Sequence, residues 1–285
     1  MRALVCGGDL RCGDSESPHR ARALDEINEL HYHMLVPKRV LEDGGLHLYR
    51  EPWVAAIPQM AFQLGLSAVS AAGFPEAGNV ISWGLGVVLV MLIAGVVADN
   101  AASRMAGWLT GAIAAVGLYP AVWHVTSGAH ALGDLAIAVG CLWALLPRDQ
   151  LGELGSRAKL VLICLASCTA ASTKLSLLPL ALVLTGIAVI AASKTDGWIG
   201  FAAIAAAVWA VFYGPALVWT MKQSGSPFGP ATAAMFHSTF WDARTLEHMR
   251  ASHLSQDGWR PIIEWMLPSL SVGIVAAFAV LAWPA

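Results

Sequence analysis

The chain has 285 residues, of which 57% are hydrophobic and 13% charged, with a formal net charge of −2 and a mean hydropathy of +0.62. Soluble domains carry roughly 25% charged residues, so this balance excludes an ordinary water-soluble globule, and the slight acidity gives no sign of a nucleic-acid partner. It points to an all-α membrane protein whose first partner is the lipid bilayer.

Residues 1–24 form a polar head, left unassigned, with neither the apolar core of a signal peptide nor a span. Residues 25–52 hold the densest collection of chemically capable side chains: Asp25, Glu26 and Glu29, then His31, Tyr32 and His33, then Lys38. Residues 53–72 are long enough to cross a membrane, but Pro58, Gln59 and Gln63 among Ser, Ala and Gly favour a helix lying at the interface or re-entering it. Apolar runs follow at 79–98, 105–124, 133–146, 158–173, 175–192, 198–219 and 262–282. A span needs about 20 apolar residues, so 133–146 and 158–173 need extension by neighbours or burial among other helices. Barrel-type alternation is absent, and in lipid only a helix satisfies its own backbone locally, so these runs predict a polytopic transmembrane helical bundle over 73–219. Residues 220–261 form a long loop before a final transmembrane helix within 262–285. The 12 tryptophans fall largely at run ends, as at Trp53, Trp123, Trp198, Trp219, Trp265 and Trp283, where an aromatic belt sits.

Short loops rich in Lys and Arg stay on the cytoplasmic side. The loop 147–159 carries Arg148, Arg157 and Lys159, and the breaks near Arg104 and Lys194 each add one. With those inside, 125–132, the neighbourhood of Lys174 and the loop 220–261 face out. Residues 25–52 join them, provided that 53–72 does not cross. In this arrangement all 9 histidines fall on the outer side or at its edge.

Several residues stand out against the apolar background, each with a plainer structural role beside the functional one. Asp134 lies near a span end, where an ionisable group in the membrane is a functional hypothesis, with helix N-capping as the alternative. Lys174 separates two apolar runs and either binds an anion or snorkels to the interface. Asp25, Glu26 and Glu29 are equally compatible with a solvated helix start. His31 and His33, two apart, suit a metal only on an extended backbone, and ordinary interfacial histidines are favoured. Cys164 and Cys168 share a helix face without the further ligands of a metal site, so small apolar packing is expected.

The segment Asn28-Glu29-Leu30-His31-Tyr32-His33-Met34-Leu35-Val36-Pro37-Lys38, followed by Leu41-Glu42-Asp43-Gly44-Gly45, resembles the first external loop of bacterial membrane glycosyltransferases of the protein-mannosyltransferase type, with its D-x-L-x-Y-H-L-x-x-P-K pattern. Three weaker resemblances follow in order: His130-Ala131-Leu132-Gly133-Asp134-Leu135-Ala136 to an Asp-Leu-Ala entry into a span, Ser172-Thr173-Lys174-Leu175 to a Thr-Lys step, and Trp219-Thr220-Met221-Lys222 with Ser224-Gly225-Ser226-Pro227-Phe228-Gly229-Pro230 to a T-G-N-P-x-x-P external loop.

The resemblance implies a GT-C-like fold in the bacterial inner membrane, transferring a sugar from a polyprenyl-phosphate donor to an acceptor at the outer face. It implies a carboxylate in the first external loop, at the level of Asp25, Glu26, Asn28 and Glu29, as base or electrostatic partner, with Asp134 as the second external acid. His31, Tyr32, His33 and Lys38 would line the substrate site. A leaving lipid phosphate needs a cation to take up its charge; Lys174 and Lys222 are the candidates, with a divalent metal ion as a further one whose ligands are open. Aligning Tyr32-His33 places Asn28 where the family pattern has its aspartate, and a neutral amide is no general base. The family's usual first span is missing ahead of this loop and the sequence stops at Ala285, so a truncated member with impaired activity is expected. Two other readings remain: a transporter with Asp134 and Lys174 as intramembrane coupling groups, and a non-catalytic membrane subunit.

Overall fold

The computed structural model describes residues 35–48, 61–74, 77–100, 105, 108, 109, 112, 130–145, 155–193, 197–233, 235–243, 246 and 247. Among these the regular structure is entirely helical, without a strand. The helices are α1 (Leu35–Glu42), α2 (Ala61–Ala71), α3 (Ala77–Asn100), α4 (His130–Leu145), α5 (Ser156–Thr173), α6 (Leu178–Ser193), α7 (Trp198–Phe212) and α8 (Gly214–Ser224), with short 3-10 turns at Leu175–Leu177 and Gly229–Thr232. The apolar runs 105–124, apart from a few residues, and 262–282 lie outside the described residues.

Among the described residues, one helix is long and apolar enough to cross a membrane by itself, the stretch Ala77–Gly95 of α3. At 1.5 Å per residue, the 24 residues of α3 reach about 36 Å. The apolar helices Leu132–Ala144 and Leu178–Ala192 are shorter. The run 198–219, expected as one span, is two helices bent by 49°. The cause is Gly214-Pro215: proline has no N–H for the carbonyl four residues back and its ring crowds that turn. The backbone compensates locally, the Tyr213 amide bonding to Trp209 O at 2.9 Å and the Ala216 amide to Tyr213 O at 3.1 Å.

The core is built around α5, which packs against α4, α6 and α7. Its buried positions include Leu160, Ile163, Cys164, Ser167, Cys168 and Ala171, a three-and-four spacing that lines one broad face. Most of these side chains are small, which lets neighbouring backbones come close, as in membrane bundles. The buried thiols of Cys164 and Cys168 thus act as packing groups.

Gly133 and Gly140 fix the register of α4. A Cβ on Gly133 would meet Leu177 Cδ1 at 2.5 Å and Thr173 Oγ1 at 2.7 Å; one on Gly140 would meet Leu184 Cδ2 at 2.7 Å and Ala166 Cβ at 3.4 Å. As α4 advances from 133 to 140, its neighbours on α5 fall from 173 to 166 and those on the turn before α6 and on α6 itself rise from 177 to 184. Helix α4 is therefore antiparallel to α5 and parallel to α6, and the start of α4 meets the end of α5. On α7, Trp209 Nε1 donates to Thr185 Oγ1 of α6 at 3.2 Å, and the Trp209 and Tyr213 rings meet edge to face at 5.4 Å.

The outer surfaces are oily. Val80, Val88 and Met91 on α3, Val183, Ile187 and Ile190 on α6, and Ile199 and Val211 on α7 are all more than half exposed. Helix α2 buries Phe62 and Leu66 against Leu85 of α3 and Leu132 just ahead of Asp134. Its 11 residues reach about 16 Å, well short of a span; the residues 53–60 that precede it lie outside the described set.

Candidate functional site

The start of α4 and the end of α5 bring together the two charged residues that interrupt the apolar sequence. Asp134 sits one turn inside α4, which begins at His130, and is only 6% exposed. The N-capping role is thereby corrected: a cap precedes the first turn, and this carboxylate lies past it, between helices.

Lys174 stands in the break between α5 and α6. Its backbone is extended, with φ −153° and ψ 123°, and its amide donates to Ala170 O at 3.0 Å. The break follows from Pro179, which cannot offer an N–H to the carbonyl of Leu175, so the chain makes the turn Leu175–Leu177 before α6 begins. Burial lowers the pKa of the half-buried Lys174 ammonium, and the charge of Asp134 pulls it back up. The two groups are therefore electrostatic neighbours, both engaged within the protein. Thr173, 3% exposed, lies against Gly133 and spends its hydroxyl on Ala170 O at 2.8 Å. Gly133 and Thr173 complete the site without having been singled out for it; the signal was a glycine directly before the aspartate and a β-branched hydroxyl directly before the lysine.

This site holds an acid and a cation within electrostatic reach of each other, mostly shielded from water. A carboxylate so placed accepts a proton or orients a hydroxyl, and an ammonium takes up phosphate charge. Among the described residues no group of three or more His, Cys, Asp or Glu is gathered to hold a metal ion.

The remaining sequence candidates fall elsewhere. Asp25, Glu26, Asn28, Glu29, His31, Tyr32 and His33 lie outside the described residues. The following stretch, expected as loop, is helical as α1, with Val36 buried and the Lys38 ammonium exposed 3.8 Å from Glu42. Lys222 is exposed in the last turn of α8, so the expected loop from 220 begins as helix and opens only after Ser224.

There the chain turns at Gly225, which is left-handed at φ 69°, and ties itself into a knot of hydroxyls. Ser226 Oγ donates to Gly229 O at 2.7 Å and lies 2.7 Å from Thr232 Oγ1. Ser224 Oγ lies 2.9 Å from Thr220 O, and Ser238 Oγ donates to Ser224 O. Beyond the knot, Ala233 and Trp241 are buried against Leu48, so the segment after α1 and the loop after α8 meet.

Compared with protein-family models, with curated proteins and with solved structures, the chain matches none of them.

Proposed function

We propose that this protein is a multi-pass membrane glycosyltransferase of GT-C type, moving a sugar from a polyprenyl-phosphate donor to an acceptor at the outer face. The observation that carries this reading is the pairing of Asp134 with Lys174, a buried carboxylate beside a cation at one end of an apolar bundle. The oily faces of α3, α6 and α7 support a bilayer around the bundle, since large apolar side chains exposed in rows are costly in water. In this reading Lys174 meets the donor phosphate and Asp134 orients the ammonium and the acceptor hydroxyl. The contact of Leu48 with Ala233 and Trp241 supports placing the segment 25–52 and the loop after α8 on the same face.

The test is transfer of labelled sugar from a polyprenyl-phosphate donor in membranes containing the full chain. Activity is expected to be weak and to rise with Asn28→Asp, because a correctly placed acid or base contributes about 10²–10⁴-fold. Vigorous turnover by the parent that is abolished by Asp25→Asn would instead assign the base to Asp25.

A transporter is the second reading. Its support is the pair of helix interruptions, at Lys174 and at Gly214-Pro215, because discontinuous helices build ion and substrate sites in transporters. Substrate flux in proteoliposomes without sugar transfer would decide for it.

A further inference from the structure

The end of the bundle opposite Asp134 carries an open groove, walled by Ala144 of α4, Ser156, Lys159 and Ile163 of α5, and Ile187 and Ala191 of α6. Its polar members, Ser156 and Lys159, both stand at the start of α5, and the walls below them are apolar. From Ser156 to Ile163 the groove runs about 10 Å along the helix, at 1.5 Å per residue. That is one third of a hydrocarbon core of about 30 Å. Ile187 and Ile190, more than half exposed, continue the oily surface beside it.

Among the described residues the mouth is positive. The first turn of α5 carries exposed Arg157 and no acid, and Gly155 before it offers no side-chain cap to the free amides. Lys159 already interacts within the protein, but an ammonium has three N–H donors. A positive mouth over an apolar trough fits an amphiphile with an anionic head.

We propose that this groove holds the upper part of one acyl chain of an anionic phospholipid, with the headgroup phosphate on Lys159 beside the start of α5. The charge rule places this end of the bundle at the cytoplasmic leaflet, where anionic lipids are concentrated. The proposal rests on the bundle lying in a membrane and is independent of sugar transfer.

The experiment reconstitutes the full chain in nanodiscs of phosphatidylglycerol or phosphatidylcholine and counts the lipid adducts retained in native mass spectra. Phosphatidylglycerol should be retained about fivefold over phosphatidylcholine, the advantage of one lysine near the surface. Lys159→Gln should abolish that preference and Lys159→Arg should keep it. Ala191→Trp, which fills the groove from an exposed position, should lose the adduct while Lys159 remains. Equal retention by the parent and Lys159→Gln overturns the proposal. So does displacement by inorganic phosphate alone, which would mark a simple anion site, or displacement by polyprenyl phosphate at concentrations where phosphatidylglycerol is ineffective. A chain that washes off membranes at alkaline pH overturns the membrane reading itself, whatever the lipid counts.

Discussion

The Asp134–Lys174 pair and the hydroxyl knot after α8 are both buried polar regions, and they solve burial differently. The knot is neutral and closed: Ser224, Ser226 and Ser238 bond to carbonyls of the last turn of α8 and of the loop after it, and Ser226 also meets the Thr232 hydroxyl. The pair is charged, joins two helices far apart in sequence, and lies where burial works against the ammonium. A fold that needed only architecture could use neutral groups at both places. Keeping ions in one of them is the mark of a site.

Breaking the pair is the strongest way to test this contrast. Lys174→Ala leaves the Asp134 carboxylate buried without its cation, at a cost of about 3–5 kcal/mol, and Asp134→Ala does the converse. The double variant Asp134→Asn with Lys174→Gln should recover most of that stability but none of the proposed transfer activity. A denaturation series on all three in detergent checks it; additive losses would show that the two charges act separately.

Gly140→Val tests the packing that sets the register of α4. With a Cβ already 2.7 Å from Leu184 Cδ2 and 3.4 Å from Ala166 Cβ, a branched side chain should cost about 1–3 kcal/mol, read as a lower melting temperature. In the knot, Ser226→Ala removes the donor to Gly229 O and should cost only about 1 kcal/mol, with transfer unchanged. A large loss of transfer in Ser226→Ala, with stability intact, would make the knot part of the site.

The smallest effect is the dependence on pH. Lys174 is lowered in the folded protein, so between its folded value and the ordinary lysine value of about 10.4 the unfolded chain binds the extra proton. Stability should therefore rise as pH climbs through that window, and the penalty is fully present below it. Melting curves from neutral to alkaline pH should show this slope, and Lys174→Gln should flatten it.

Much of this was legible in the sequence, for physical reasons. Helix α3 is apolar over the 19 residues Ala77–Gly95, and hydropathy alone places it. Asp134 and Lys174 stand out because a charge in an oily run is costly enough to demand a reason. Their pairing was not legible, since it depends on the register in which α4 meets α5, set by Gly133 and Gly140 against side chains distant in sequence. The bend within the run 198–219 is not visible to a hydropathy average, which passes over Gly214-Pro215, while the backbone cannot. The polar sequence around Lys222 reads as loop, yet helical bonding continues to Ser224 and only the left-handed Gly225 stops it. The acids and histidines of 25–33 lie outside the described residues, so the chemistry first suspected there rests on resemblance alone.

The close approach at Gly133 and Gly140 also restricts how this sequence can drift. Any side chain gained at 133 takes space now filled by Leu177 and Thr173, and any gained at 140 takes space from Leu184. The glycines lie on α4 and the side chains facing them on α5, on the turn after it and on α6, yet they share one volume, so neither partner can change size alone. A lineage that replaces either glycine must shrink the facing leucine at nearly the same time, or lose the register that holds Asp134 beside Lys174.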